Sequence, residues 1–265
     1  MKCYLCESKD TIEIFRKNDV YIWTDTSDND SIRNKYKCVL FQCVTCGHVY
    51  QPIDDLLNSI LEQVYLSENA QGPSPAGVGK WGIVRANNYF NNVIDKKKYK
   101  TAMEIGCGDG YLLKQLYEYG YEKLIGIEPS VNIDKDVDGI TFINEFVDRD
   151  FILDEKVDFI FSIAVFEHIE KISEILLFCR NNLSENGELF FVVPNGQIQL
   201  ESGDPALFIH QHVHHFTEKS IRYILSKNGF QINSISLEED GIFVFARIGA
   251  QLSADLSKGM LYNQY

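Results

Sequence analysis

The stretch from Lys100 to Leu116, KTAMEIGCGDGYLLKQL, constrains this chain most, because seventeen residues specify a strand, a glycine turn and a helix start. Thr101 to Ile105 reads as a short buried strand, and Tyr111 to Tyr119 as an amphipathic helix. Between them Gly106, Gly108 and Gly110 permit a tight turn and close approach of a ligand to the backbone. A second apolar strand, Leu124 to Ile127, ends at Glu128, eighteen residues after Gly110, where a carboxylate can accept both hydroxyls of a ribose. The two elements together predict a site for a nucleoside-like cofactor.

Continuous apolar strands alternate with helices along the same region. Helices are expected at Trp81–Ile94, Leu112–Tyr119 and Ser173–Leu183, and strands at Ala102–Ile105, Leu124–Ile127, Ile140–Ile143, Val157–Ile169 and Gly187–Asn195. That rhythm means a parallel sheet covered on both faces. It breaks at the end: Thr217–Asn228 reads as a helix stopped by Gly229, and two strands follow, joined at Glu239-Asp240-Gly241, a hairpin signal. The expected class is therefore α/β, a Rossmann-like, mostly parallel sheet closed by an antiparallel last strand.

Four of the seven cysteines form two CxxC knuckles, Cys3-Tyr4-Leu5-Cys6 and Cys43-Val44-Thr45-Cys46, separated by 36 residues. Each offers two thiolates to one tetrahedral ion, so Zn2+ is the expected metal, with a hairpin or small sheet between Ile12 and Phe41 bringing the knuckles together. Cys38 and His48 are nearby candidates for a substituted ligand. Cys107 and Cys179 read as small buried residues, since neither neighbourhood supplies the base or positive charge that makes a thiolate.

These signals divide the chain into a zinc-binding module (1–52), a helix and lid or linker (53–80), a cofactor-binding domain (81–250) and an unassigned tail (251–265). Within the second part, Ile53–Tyr65 has helical spacing and Leu66–Lys80, rich in Gly and Pro, is a loop expected to order over a bound ligand. At 265 residues, 45% of them hydrophobic, there is enough apolar material for one sizeable core with an appendage. No apolar run approaches the roughly 20 residues of a membrane span, and the opening residues carry no apolar signal segment, so a cytoplasmic location is expected. The balance of 38 acids against 25 bases, net charge −13, argues against a phosphate-backbone footprint, and the one basic run, Lys96–Lys98 with Lys100, reads as a solvated helix end.

Glu104 and the turn Gly106-Cys107-Gly108-Asp109-Gly110, followed by Glu128, resemble the cofactor site of class I S-adenosylmethionine-dependent methyltransferases. A dinucleotide-binding domain also has three glycines and a later acid. Its pyrophosphate, however, needs an uncluttered helix N-terminus, whereas Glu104 and Asp109 surround this one with negative charge that suits a sulfonium and an ammonium. The resemblance implies that Glu104 and the turn through Tyr111 and Leu112 hold the methionine end. It places Glu128 and Pro129 at the ribose, Asn144, Glu145 and Phe146 at the adenine, and the stretch from Ala164 through Phe166 to His168 beside the methyl.

Methyl transfer is an in-line displacement, and a base is needed only where the acceptor must lose a proton. Four of the six histidines lie in HQHVHHF, His210 to Phe216, and His168 ends the fourth predicted strand, all near the sheet edge where open parallel sheets bind ligands. His212 is the first candidate base and His168 the second. His210, His212, His214 and His215 are alternatively the ligands of a second metal.

The four-Cys module, the core and the histidine segment together resemble bacterial sugar C-methyltransferases acting on nucleotide-linked deoxysugars. There the histidine segment commonly reads Glu-His with an aromatic before Phe; here Gln211 precedes His212 and His215 precedes Phe216. Those enzymes continue into a further C-terminal domain, while this sequence stops soon after its last predicted strand. The expected partner is a small acceptor, a sugar nucleotide or a phosphorylated or phosphoramidate precursor of surface polysaccharide, methylated on oxygen, with C-methylation of a keto-deoxysugar as the alternative. From another class, the chain could be a zinc-ribbon interaction protein recruiting a protein or RNA.

Overall fold

A computed structural model describes residues 1–21, 35–66, 87, 88, 90, 95, 98–129, 139–239 and 241–249. The loop expected over Leu66–Lys80, apart from Leu66, which ends a helix, nearly all of the helix expected over Trp81–Ile94, and the tail from 251 lie outside the described residues.

The main sheet has seven strands: β4 (Thr101–Ile105), β5 (Lys123–Ile127), β6 (Ile140–Ile143), β7 (Val157–Ile163), β8 (Leu183–Val193), β10 (Phe230–Leu237) and β11 (Ile242–Ile248). Their spatial order is β10-β11-β8-β7-β4-β5-β6. Pairs from β6 to β8 are parallel, whereas β11 runs antiparallel to both neighbours, as the Asp-Gly hairpin signal predicts. Chain order runs outward in opposite directions from β4 and β7. That reversal opens a crevice at their carboxyl ends, the place where such sheets bind ligands.

Alternation along the central strands feeds two cores. On β8, Leu189, Phe191 and Val193 enter one core, and Phe190 and Val192 the other. One face is covered by α2 (Tyr111–Glu118) through Leu112, Leu113 and Leu116. The other is covered by α3 (Ile172–Asn182) and α5 (Glu218–Lys227), whose inward stripes are Ile172, Ile175 and Leu176, and Ile221, Ile224 and Leu225. Thr217 caps α5 by a reciprocal box with Ser220, which fixes its start one residue after the expected position.

The N-terminal segment builds a second, four-stranded sheet from β1 (Thr11–Tyr21), β2 (Lys35–Cys43), β3 (Val49–Tyr50) and β9 (His214–His215). The hairpin between the knuckles is thus present, but its sheet is completed by the histidine segment from the other end of the chain. Helix α1 (Asp55–Leu66) follows β3, with Asp54 accepting from the Leu57 amide at 2.8 Å. Cys3, Leu5, Cys43, Cys46 and Tyr50 belong to the same core cluster as Phe216, Ile221 and Phe230, so the two sheets share buried apolar surface.

Two expectations need correcting. The fourth strand of the main sheet ends at Ile163, not Ile169: Ala164 takes a left-handed φ of 54°, and Phe166–His168 forms a 3-10 turn. A short helix α4 (Gly196–Ser202), capped by the Asn195 side chain, and a second 3-10 turn, Pro205–Phe208, lie between β8 and the histidine segment, where no element was expected.

Candidate cofactor and metal sites

The glycine turn is an arch tied to its neighbours by main-chain bonds. The amides of Gly106 and Cys107 both donate to the Ile127 carbonyl, at 2.8 and 3.2 Å, stitching the turn to the end of β5. Gly106, Gly108 and Gly110 all have positive φ, and a Cβ on Gly106 would stand 2.4 Å from Val165 Cγ2. A Cβ on Gly108 would meet nothing within 4 Å, so the middle of the arch faces open space. Tyr111 opens α2, its amide donating to Asp109 Oδ1 at 3.1 Å and its hydroxyl bonded to Asn87.

Three acids surround this arch. Glu104 is fully buried at the end of β4, and neither carboxylate oxygen has a hydrogen-bond partner. Burial first, then the charges of Asp109 and Glu128, push its pKa well above the usual carboxylate range. Glu128 accepts from the Gly108 amide at 3.1 Å, and its carbonyl accepts from Asn144 Nδ2 at 2.9 Å, so the third expected contact region is tied to the second. An orphaned buried carboxylate beside an open arch is the complement of a bound cation with an apolar or ribose body, and is hostile to a pyrophosphate.

The remaining expected contacts divide by exposure. Pro129 and Ala164 are half-buried, Glu145 is exposed, and Phe146, at 64% exposure, presents its ring to solvent and is free to cover a purine. Leu112 and Cys107 are fully buried, so only their backbone can border a ligand. The Phe166 ring is likewise withdrawn into the core, 5.0 Å from that of Phe191. The buried Cys107 and Cys179 thiols are pushed upward by desolvation, in keeping with inert packing roles.

The four paired cysteines converge. Their Sγ atoms lie within 4.8 Å of one another, Cys3 to Cys46 at 3.6 Å and Cys6 to Cys43 at 3.4 Å. Four thiolates about 2.3 Å from one ion lie about 3.8 Å apart at tetrahedral angles, so the donor set fits zinc. The knuckles are built alike: Glu7 N–H donates to Cys3 O and Gly47 N–H to Cys43 O, with φ of 63° and 75°. Lys227 at the end of α5 donates to Leu5 O at 2.7 Å, anchoring the first knuckle to the main domain. Cys38 instead donates to Gln51 Oε1 at 3.2 Å and His48 Nε2 bonds His214 Nδ1 at 2.9 Å, so neither replaces a cysteine ligand.

All six histidines gather where the two sheets meet. His48, His210, His212, His214 and His215 are buried, and desolvation lowers the pKa of each; His168 is lowered to about 4. Both candidate bases, His212 and His168, therefore stand as neutral imidazoles that hold a proton weakly, their rings edge to face at 5.1 Å. The expected metal site of His210, His212, His214 and His215 does not form. Turn bonds from His212 N to Ile209 O and Val213 N to Gln211 O break the extended run that would align them, and His214 is held between His48 and Ile169 O. Among the described residues the other cluster able to hold an ion is Glu167, His168 and His212. Glu167 falls within the stretch expected beside the methyl, Ala164 to His168, but its sequence position carries no signal of a shared ion.

Residues 84–235, more than half of the chain, match the model of a family described as a methyltransferase domain. The chain belongs to that family. The DhpI–SAM–HEP complex aligns with 14% identity and a TM-score of 0.55 over 74% of this chain and 99% of the other. The PH0226 protein of Pyrococcus horikoshii OT3 aligns with 12% identity and a TM-score of 0.53 over 74% and 100%. A Listeria monocytogenes protein described as an S-adenosylmethionine dependent methyltransferase aligns with 18% identity and 0.51 over 61% and 97%. At these identities the likeness is one of fold. No curated protein matches the chain. Among the described residues no helix of this methyltransferase is long and apolar enough to cross a membrane.

Proposed function

We propose that this methyltransferase uses S-adenosylmethionine to methylate a small metabolite, on oxygen, in a sugar nucleotide or a phosphorylated or phosphoramidate precursor of surface polysaccharide. The observation that carries the cofactor reading is Glu104, a buried carboxylate with no partner, set with Asp109 and Glu128 around an arch that is open at Gly108. The cofactor, when bound, supplies an electrophilic methyl on a positively charged sulfur. Glu104 and Asp109 favour its positive charges, and Glu128 is placed to accept the ribose hydroxyls. Asn144 holds the Glu128 backbone, and Phe146 offers its face to the adenine. An acceptor approaches from the ends of β4 and β7, where Ala164 and the His168–His212 pair border the crevice.

Two features support a small acceptor over a macromolecule. The chain is acidic, with net charge −13, and the histidine segment, an edge strand of the four-stranded sheet, is buried instead of lying on an open face. The four cysteines hold a zinc ion whose role is to fix the N-terminal sheet against that segment. C-methylation of a keto-sugar is the alternative chemistry, resting on the position of His212, and recruitment of a protein or RNA by the zinc module is the alternative of another kind. Transfer of radiolabelled methyl from S-adenosylmethionine into a cell extract separated by size decides between a metabolite and a macromolecular acceptor, and acid hydrolysis of the labelled product separates O-methyl from C-methyl. Label in the metabolite fraction is the expected result, and label confined to macromolecules would overturn the substrate class.

A further inference from the structure

The turn after β7 carries donors that the cofactor arch does not use. We propose that Glu167, His168 and His212 form a site for a divalent transition-metal ion whose open positions receive oxygen atoms of the methyl acceptor; the acceptor role rests on the methyltransferase reading above. Each residue offers one ligand atom, the three atoms lie within 4.8 Å of one another, and Glu167 and His212 are 1% and 8% exposed.

The tautomer of His168 is what makes this a site and not only a cluster. Its Nδ1 faces the Gln211 carbonyl at 3.0 Å, a contact in which the ring must donate. In the neutral ring Nε2 then carries a lone pair, and it faces Glu167 Oε1 at 3.6 Å. That separation is longer than a hydrogen bond, so the two atoms border one space without being bonded to each other, with the Ala164 carbonyl also near the His168 ring. Ligand atoms about 2.1 Å from a common ion lie about 3 Å apart at octahedral angles and about 3.4 Å at tetrahedral ones, close to the observed gap. A ligating imidazole commonly donates its other N–H to a backbone carbonyl, as His168 does. The segments that bring the donors together are also locked, because the Val213 amide donates to the Glu167 carbonyl at 2.9 Å.

The donor set indicates the metal class. Two imidazoles and one carboxylate with vacant positions suit Zn2+, Fe2+, Co2+ or Mn2+ more than Ca2+, and differ from the closed four-thiolate site. Burial keeps both imidazoles in the neutral form that ligation requires. The position suits the chemistry: Val165, two residues before Glu167, packs against Gly106 of the cofactor arch. An acceptor hydroxyl bound to such an ion becomes more acidic and gives its proton to solvent. The new bond forms between that oxygen and the methyl carbon as the carbon–sulfur bond breaks, its electron pair leaving with the thioether.

The test is titration of zinc-loaded protein with Co2+, followed by metal analysis, absorption and proton NMR. One Co2+ per chain is expected beyond the zinc, without thiolate charge-transfer absorption. Glu167→Gln and His212→Asn should each weaken it by about tenfold or more while leaving S-adenosylhomocysteine affinity within about twofold. Absence of a second metal in protein that binds S-adenosylhomocysteine would overturn the site and leave the methyltransferase reading standing. A second metal in protein that does not bind S-adenosylhomocysteine would overturn the acceptor role. Should the variants lose the zinc and their fold, the wild type still decides. A hyperfine-shifted imidazole N–H in the Co2+ form supports His168 as ligand, and its absence refutes it.

Discussion

His215→Phe gives the most quantitative test of the histidine seam. His215 is 1% exposed on β9, both ring nitrogens lack partners, and its pKa is pushed down to about 3, by burial first and then by neighbouring His214. A histidine whose folded pKa lies below the unfolded value of about 6.5 contributes stability that is complete above 6.5 and is lost as pH falls toward the folded value. Between about pH 7.5 and about pH 5.5 the unfolded chain takes up one proton at this residue that the native chain refuses, a loss of about 1.4 kcal/mol. Phenylalanine removes that loss. The free-energy difference between variant and wild type, from urea unfolding in zinc-containing buffer, should therefore shift by about 1.4 kcal/mol in favour of the variant across this window. The offset at high pH, set by ring size and the orphaned nitrogens, cancels in the comparison. Parallel stability curves would refute a neutral, unpartnered His215.

Glycines of the arch should separate folding from binding. Gly106→Ala strikes Val165 and should cost about 2 kcal/mol of stability, whereas Gly108→Ala should cost only about 1 kcal/mol for its left-handed backbone yet weaken S-adenosylhomocysteine about tenfold by calorimetry. Glu104→Gln replaces a buried, unpartnered carboxyl whose ionisation burial and the neighbouring acids oppose, and should raise the melting temperature of the ligand-free protein most at high pH while abolishing measurable S-adenosylmethionine binding; a melting-temperature difference that does not grow with pH would contradict the orphaned carboxyl. Gly126→Ala, one residue before the end of β5, would place its Cβ 2.7 Å from Cys107 Sγ and 2.9 Å from Leu113, and should cost about 1–3 kcal/mol by denaturant titration. Chelation of the zinc proposed for the four cysteines should lower the melting of both sheets together, because Cys3, Cys43 and Tyr50 share a core with Ile221 and Phe230. Two separate transitions by far- and near-ultraviolet circular dichroism would refute that coupling.

Local signals were legible wherever one stretch of chain carried its own geometry. The strand-turn-helix at Thr101–Glu118, the α5 stop at Gly229 and the antiparallel closing pair appear where periodicity and turn residues put them. The ends of elements that depend on a distant partner were not. Ala164 leaves the strand because Val165 must pack on Gly106 and the chain must turn toward the histidines, and nothing in the string Ile163-Ala164-Val165 announces it. The same holds for Phe166, whose place in the core is set by Phe191, and for the failed four-histidine metal site, which sequence alternation suggested and local turn bonds prevented.

By itself the sequence determined the fold class and the chemistry of the donors. Glycine spacing fixes where a left-handed turn can form, alternation of apolar residues fixes which faces are buried, and the CxxC pairs fix which thiols can share an ion. Tertiary structure alone decided which donors meet. His214 and His215 pair with Val49 and Tyr50 across more than 160 residues, and His168 faces Glu167 with its tautomer set by the Gln211 carbonyl. The physical reason is that periodicity records each residue's burial but not its partner, whereas tautomer, charge state and coordination depend on the one atom that stands opposite.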